Sequence, residues 1–443
     1  MTDAPTAPRA RAVGAPTPLL APVPDPDAAT LAGVVDLVRA GRATTRPALV
    51  DASRLSRKVV TQRVEQAIGL GLLEHGELAP SSGGRPSRTL RFRAGSGHVY
   101  AALIGAAEIT AAVLDLGGTL VGTAHEDWPV AEGPEPTLQR VHDLFTTLAR
   151  RTGVTVPWGI GVGVPGPVEY ATGRLVAPPI MPGWNGFSVR SWLRDHYDAP
   201  VWVDNDVNLM ALGEWTRATP HDGRDMLFVK VGSGIGAGLV VRGRVLRGDR
   251  GAAGEIGHVH VSDDPRLSCR CGRTGCLEAI AGGWALERDA TERARAGDSP
   301  ALAAALQRRG HLTSQDVGRA ALAGDPVAAG LIDASARAVA EVTAHLVNFS
   351  NPGTLVLGGG VLRTGTRFLD VMADTVRQRC TDLAVRDLVI RAASLDHLEG
   401  VVGAGLLAAE NLLNPVALGH WVEDGQPLGH AATLQRLSAG VVA

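Results

Sequence analysis

Cysteine is scarce in this chain, with four among 443 residues, too few for the disulfide framework that holds small secreted domains together. Aromatic residues make up only 4% of the sequence, so the cores must be packed from Ala, Val and Leu. No apolar run reaches the roughly 20 residues needed to cross a bilayer; Ala101 to Leu114 comes nearest and is broken by Glu108. The N-terminus lacks the basic region and apolar stretch of a secretory signal. Formal charge is −2, which excludes a strong overall field of either sign. These absences predict a cytoplasmic protein that does not engage a membrane.

The charge is unevenly distributed. Residues 27–94 carry eleven Lys/Arg against six Asp/Glu, whereas residues 1–26 balance and the remainder is acidic. A basic block at one end of an acidic body points to nucleic-acid contact there. Residues 1–26, rich in Ala, Pro and Thr, read as a disordered leader. In residues 27–94, Leu31, Val34, Val35, Leu37 and Val38 recur at helical spacing before Gly41. Thr45 with Pro47, and then Ser56, are placed to start two further helices, the second over Arg57 to Ile68. Two strand-like pieces, Gly71 to Glu74 and Thr89 to Phe92, flank Ser81 to Arg88. The order is that of a winged helix-turn-helix, whose recognition helix enters the major groove. Arg57, Lys58, Thr61, Gln62 and Arg63 near its start are predicted DNA contacts. Arg85, in Gly83-Gly84-Arg85-Pro86, is predicted to enter a neighbouring minor groove.

Three of the cysteines lie within eight residues, Cys269-Arg-Cys271-Gly-Arg-Thr-Gly-Cys276, with His258 upstream. Thiolates and imidazoles are the usual donors to zinc, and four of them complete a tetrahedron. Gly272 and Gly275 permit the tight turns that bring three sulfurs together. The expectation is a Zn2+ ion on His258, Cys269, Cys271 and Cys276. Four protein ligands leave no open position, so the ion is structural.

From residue 95 to 411 strands and helices alternate. Trp158 to Val164 reads as a buried strand ending in Gly163-Val-Pro-Gly-Pro167, and Val201 to Asp206 as another with polar groups at its carboxyl end. Met226 to Val231 and Ala237 to Val241 form a hairpin around Gly232-Ser-Gly-Ile-Gly236. Ser335 to Phe349 is a long helix, followed by strand Thr354 to Leu357 and Gly358-Gly359-Gly360. Polar groups at strand carboxyl ends and glycine loops before helices form the α/β arrangement that binds small molecules. Residues 412–443 lose this rhythm and read as a loosely attached tail.

Five motifs in order resemble those of the ROK family of repressors, open reading frames and sugar kinases. They are Val203-Asp204-Asn205-Asp206-Val207-Asn208, Gly232-Ser-Gly-Ile-Gly236, Gly254-Glu255-Ile-Gly-His258, the cysteine cluster and Gly275-Cys-Leu-Glu278. The resemblance implies an α/β fold of two actin-like (ribonuclease H-like) lobes around a sugar cleft, behind the winged helix-turn-helix. It implies that Asn205, Asp206, Glu255, His258 and Glu278 bind sugar hydroxyls, with Asp206 as the general base in a kinase. His258 would then turn one ring nitrogen to zinc and the other to sugar. The implied partners are a sugar effector and a double-stranded DNA operator with an inverted repeat, read by a homodimer or tetramer.

A kinase of this family carries Asp-x-Gly-Gly-Thr-Lys in its first strand to hold magnesium and ATP phosphates. Asp115-Leu-Gly-Gly-Thr119 looks similar but fits the turn after the first hairpin. The phosphate positions then fall on Leu103-Ile104-Gly105-Ala106-Ala107-Glu108. A leucine there cannot ligate magnesium, and Glu108 repels the phosphates that phosphoryl transfer must neutralise. Gly232, Gly234, Gly236, Gly358 and Gly359 read as remnants of the other nucleotide loops. This predicts a sugar-responsive transcriptional repressor that does not use ATP and magnesium. In the alternative register Asp115 to Thr119 is a working phosphate loop, Val99 to Ala107 is an extra strand, and the chain is an ATP-dependent hexose or N-acetylhexosamine kinase.

Overall fold

A computed structural model describes residues 25–78, 87–218, 223–425 and 427. Residues 1–24 of the expected leader, Arg85 with most of its loop, and the end of the tail lie outside the described residues.

The chain opens with α1 (Pro26–Arg39), α2 (Arg46–Ser53) and α3 (Arg57–Gly69), followed by the antiparallel hairpin β1 (Leu73–Leu78) and β2 (Arg88–Phe92). The Thr45 hydroxyl accepts from the Ala48 N–H and the Ser56 hydroxyl from the Val59 N–H, each at 3.3 Å, so both capping expectations hold. Helix α1 starts earlier than its apolar spacing implied, because Asp25 caps it and Pro26 occupies its first turn. Leu31, Val34, Leu49, Val60, Val64, Leu72 and Leu90 close the core of this winged helix-turn-helix.

Two five-stranded sheets follow. The first is built from β3 (His98–Ile104), β4 (Glu108–Asp115), β5 (Leu120–Asp127), β6 (Ile160–Val164) and, after a short ribbon of β7 (Val168–Glu169) and β8 (Arg174–Leu175), β9 (Val201–Asn205), in the order β5-β4-β3-β6-β9. The second contains β10 (Met226–Val231), β11 (Ile235–Val241), β12 (Arg244–Val245), β13 (Thr354–Gly358) and β14 (Val389–Ala392), in the order β12-β11-β10-β13-β14. In both, the first three strands form an antiparallel meander and the last two run parallel to the first. The same topology used twice gives two ribonuclease H-like lobes.

Helices α4 (Pro134–Thr152) and α5 (Val189–Arg194) cover the outer face of the first sheet. α6 (Asp206–Ala218) follows β9 directly. α7 (Leu277–Ala281), α8 (Gly283–Ala296), α9 (Pro300–Arg309), α10 (Ser314–Leu322), α11 (Pro326–Ser350), α12 (Arg367–Arg379) and α13 (Asp382–Val385) belong to the second lobe. Alternation along β10 divides its side chains: Leu227, Val229 and Val231 face the outer helices, Met226 and Phe228 the inner core. That inner core holds α6 and α14 (Glu399–Leu412), which touch at backbone level. A Cβ at Gly403 would lie 1.8 Å from the Leu209 carbonyl oxygen, and one at Gly213 2.0 Å from that of Glu399. Only glycine fits at either crossing point.

The described part of the expected tail, residues 412–425, is a docked element. α14 runs to the buried Leu412, and α15 (Pro415–Asp424) packs against α1. Trp421 is 1% exposed and meets Trp158 edge-on with ring centroids 5.1 Å apart. Asn414-Pro415 starts α15: the Asn414 side chain accepts the Ala417 N–H at 2.9 Å. Among the described residues, no single helix is long and apolar enough to cross a membrane.

Candidate functional site

A cleft of about 290 Å³ opens between the lobes, and Asn205, Asp206, Glu255, His258 and Glu278 all line it. β9 ends at Asn205 and α6 begins at Asp206, which places both at a strand carboxyl end. The Asn205 Oδ1 accepts the Val207 N–H at 2.9 Å, and its Nδ2 donates to the Gly166 carbonyl at 3.2 Å. One amide therefore caps α6 and ties down the Pro165–Pro167 loop. Asp204 is committed elsewhere: Arg247 Nε donates to it at 2.7 Å, Asn208 Nδ2 at 3.0 Å, and the Arg247 guanidinium stacks on Tyr170.

Asp206 is 3% exposed and accepts a hydrogen bond from Lys230 Nζ of β10. Glu255 lies opposite, and burial, then the charges of Asp206 and Glu278, push its carboxyl up to about 7. The Glu278 oxygens accept from the Ile235 N–H at 3.1 Å and from Trp284 Nε1 at 3.3 Å.

The zinc expectation is met by the donor set. One ligand atom from each of His258, Cys269, Cys271 and Cys276 lies within 4.8 Å of all the others. His258 Nδ1 is 3.7 Å from Cys269 Sγ, and Cys271 Sγ is 3.8 Å from Cys276 Sγ. Those spacings match the roughly 3.5–3.8 Å edges of a tetrahedron with zinc–ligand bonds of about 2.0–2.3 Å, so the residues fit the ion. Burial pushes the Cys269 thiol up to about 12 without a cation. His258 Nε2 stays on the Glu255 side, 3.9 Å from its carboxylate. Cys276 is also the N-cap of α7, so the knuckle sets the position of Glu278 two residues on.

The β3–β4 turn, Gly105 to Glu108, also lines the cleft, as does Leu103. Asp115 sits at the other end of that hairpin: Ile104 pairs with Ile109 but His98 pairs with Asp115, a separation of roughly 20 Å along the strand. Its Oδ1 accepts the N–H groups of Gly117 at 2.9 Å and Thr119 at 2.8 Å, which makes it the anchor of a turn. Gly232, Gly234, Gly236 and Gly359 line the cleft. Gly358 instead packs on Phe228, which a Cβ would strike at 2.4 Å.

Sequence reasoning missed Lys230, Arg270, Arg363 and Glu399, which surround the same space. For Lys230 a signal existed: it is the one charge in the buried strand Met226-Leu-Phe-Val-Lys-Val231, next to a glycine loop.

On α3, Arg57, Lys58, Thr61 and Gln62 are exposed and share one shallow concavity. Arg63 is a correction. It is 4% exposed and points inward, with Nε donating to Thr30 Oγ1 at 2.9 Å, Nη1 to Gln66 at 3.0 Å, and Nη2 paired with Asp27. Its place on the helix turns it toward α1, where it pins α1 to α3.

A duplicated ribonuclease H-like fold, with polar side chains and glycine loops converging between the lobes, belongs to the actin-like sugar-kinase class of architectures. Within that class the chain belongs to the ROK family, whose profile matches residues 99–411. It is 35% identical to a glucokinase of Halalkalibacterium halodurans over 252 residues, 57% of this chain and 76% of that one. It is 26% identical to the xylose repressor of Caldicellulosiruptor bescii over 367 residues, 81% of this chain and 90% of that one. The crystal structure of a ROK family transcriptional regulator, a homolog of the Escherichia coli MLC protein, shares the fold at a TM-score of 0.75 and 24% identity, covering 90% of this chain and 99% of that one.

Proposed function

We propose that this protein is a sugar-responsive transcriptional regulator, a repressor, in which a sugar cleft governs operator binding by the winged helix. The observation that supports this reading is the β3–β4 turn: Leu103 and Glu108 line the cleft, and the family resemblance sets a kinase's magnesium and phosphate positions on them. Phosphoryl transfer needs those charges neutralised, and a carboxylate does the opposite. Similarity to the xylose repressor extends over 81% of the chain, which supports a regulator that keeps its DNA-binding end.

Sugars are bound through directional donors and acceptors, and Asn205, Asp206, Glu255, His258 and Glu278 offer both. Around the cleft, Glu108, Asp206, Glu255, Glu278 and Glu399 outnumber Lys230, Arg270 and Arg363. Burial keeps Glu255 and Glu399 from counting as full charges, and the other three acids equal the three cations, so the cleft has no cationic excess to hold a phosphate, which favours an uncharged sugar. Zn2+ on His258, Cys269, Cys271 and Cys276 fixes the His258 ring and the start of α7, which serves sugar binding without taking part in chemistry. Arg57, Lys58, Thr61 and Gln62 form the DNA-reading face. A dimer or tetramer would present two such faces to an inverted repeat.

The second reading, an ATP-dependent sugar kinase, is favoured by the 35% identity to a glucokinase and by Asp206 at the head of α6. One experiment tests the leading reading. Fluorescence anisotropy with a duplex selected in vitro for binding is expected to give a salt-dependent complex whose affinity changes with one sugar of a panel. A protein that selects no duplex contradicts it.

A further inference from the structure

α14 joins the cleft to the winged helix. Its first residue, Glu399, lies beneath the cleft floor with no exposed surface, and neither carboxylate oxygen has a hydrogen-bond partner among the described residues. Leaving such a group unpaired is costly. Native structures keep few of them, and each calls for a reason. Burial pushes the Glu399 carboxyl up, its own backbone amide, too poorly placed to count as a hydrogen bond, pulls it down, the charge of Glu214 pushes it up, and Lys230 and Arg363 pull it down.

In this state Lys230 is engaged with Asp206. A sugar hydroxyl that donates to Asp206 competes for the same oxygens. The ammonium has three donors and no acceptor, so a displaced Lys230 needs another anion; Glu278, the other buried acid of the cleft, already accepts from Ile235 and Trp284, which leaves Glu399.

The rest of α14 is built to transmit a shift. Gly213 and Gly403 lock it against α6 at backbone level. Its Leu406, Leu407 and Leu412 share one continuous core with Leu418 and Trp421 of α15 and with Leu31, Val34 and Val35 of α1. Such close-packed interfaces move between discrete arrangements rather than deforming gradually.

We propose that Lys230 and Glu399 form a ligand-gated contact: sugar on Asp206 hands the Lys230 ammonium to Glu399, and α14 carries the resulting shift through α15 to α1. The proposal rests on the reading of the cleft as a sugar site. The step balances: the Lys230 ammonium moves with its protons, and any proton that burial keeps on the Glu399 carboxyl leaves to solvent in the open cleft as the ammonium arrives.

The test uses the full chain, an in vitro selected duplex, and D-glucose, D-xylose and N-acetyl-D-glucosamine as ligands. Calorimetry reads sugar affinity and fluorescence anisotropy reads DNA affinity. In the native protein the binding sugar shifts DNA affinity about tenfold, inside the range typical of allosteric coupling. Measured at saturating sugar, whatever affinity calorimetry gives for each variant, the shift in Glu399→Gln and Glu399→Leu shrinks to less than about twofold. The leucine variant also melts a few degrees higher, because the unpaired carboxyl is gone. If it fails to fold, the isosteric glutamine variant still decides the matter. Lys230→Met loses the shift as well and changes sugar affinity through Asp206. Hydrogen exchange in residues 26–39 and 399–424 responds to sugar in the native chain and not in the variants. A native-sized shift in the Glu399 variants overturns the proposal and leaves the sugar site standing. Binding of none of the three sugars by the native chain overturns the sugar reading, and this proposal with it.

Discussion

Lys230 of β10 donates a hydrogen bond to Asp206 at the start of α6, so the carboxylate best placed to meet a sugar hydroxyl is already held by an ammonium group. A general base must be free to take a proton. Before sugar arrives Asp206 is therefore an ion-paired acceptor and not a free base, and a hydroxyl must compete with Lys230 for it. Asp206→Asn is therefore expected to weaken sugar binding by about 1.5–3 kcal/mol, the worth of a hydrogen bond to a charged group, with the fold intact. Calorimetry and circular dichroism check this together.

Removing the metal should act at a distance from the sulfurs. Chelation, or Cys269→Ser, is expected to lower zinc content, lower the melting temperature and weaken sugar binding by about 10–100-fold, because His258 and Glu278 lose their fixed positions. Atomic absorption and calorimetry measure both effects. A zinc-free protein with native sugar affinity contradicts the role given to His258.

On α3 the four exposed polar residues should divide by function. Arg57→Ala and Lys58→Ala are expected to weaken DNA binding and reduce the salt slope by about one each where they meet phosphate. Gln62→Ala is expected to relax sequence preference at one base step by about 1–3 kcal/mol. Anisotropy across a salt series and a set of substituted duplexes separates the two.

Arg63 should behave differently from its neighbours. Arg63→Met removes hydrogen bonds to Thr30 and Gln66 and the pairing with Asp27. It is expected to cost about 1–3 kcal/mol of stability, read by denaturant unfolding, and to weaken DNA binding only as far as the winged helix unfolds.

Much of this arrangement was legible because it is local. Thr45 and Ser56 announce helices through short-range capping, and the cysteine spacing announces a metal site because three sulfurs within eight residues have few other uses. Asn205 and Asp206 end a strand, where polar groups in a parallel sheet have little reason to be unless they face a ligand. What stayed hidden depends on tertiary contact. Arg63 sits on the same helix as Arg57 and Lys58, and only the position of α1 decides that it turns inward. Asn414-Pro415 reads equally as the end of a helix and the start of one, and the Trp421–Trp158 contact that selects the second lies far away in sequence. Glu399 looks like an ordinary first-turn acid, and nothing local says that its carboxylate is buried without a partner.

The central claim is that the cleft senses sugar without phosphorylating it. Titrating the purified protein with magnesium-ATP and a panel of sugars, while following melting temperature and ADP release together, tests this most directly. The account predicts a sugar-dependent rise in melting temperature with no ADP formed above background. Sugar-dependent ADP release that Asp206→Asn abolishes would contradict it and make the protein a working kinase.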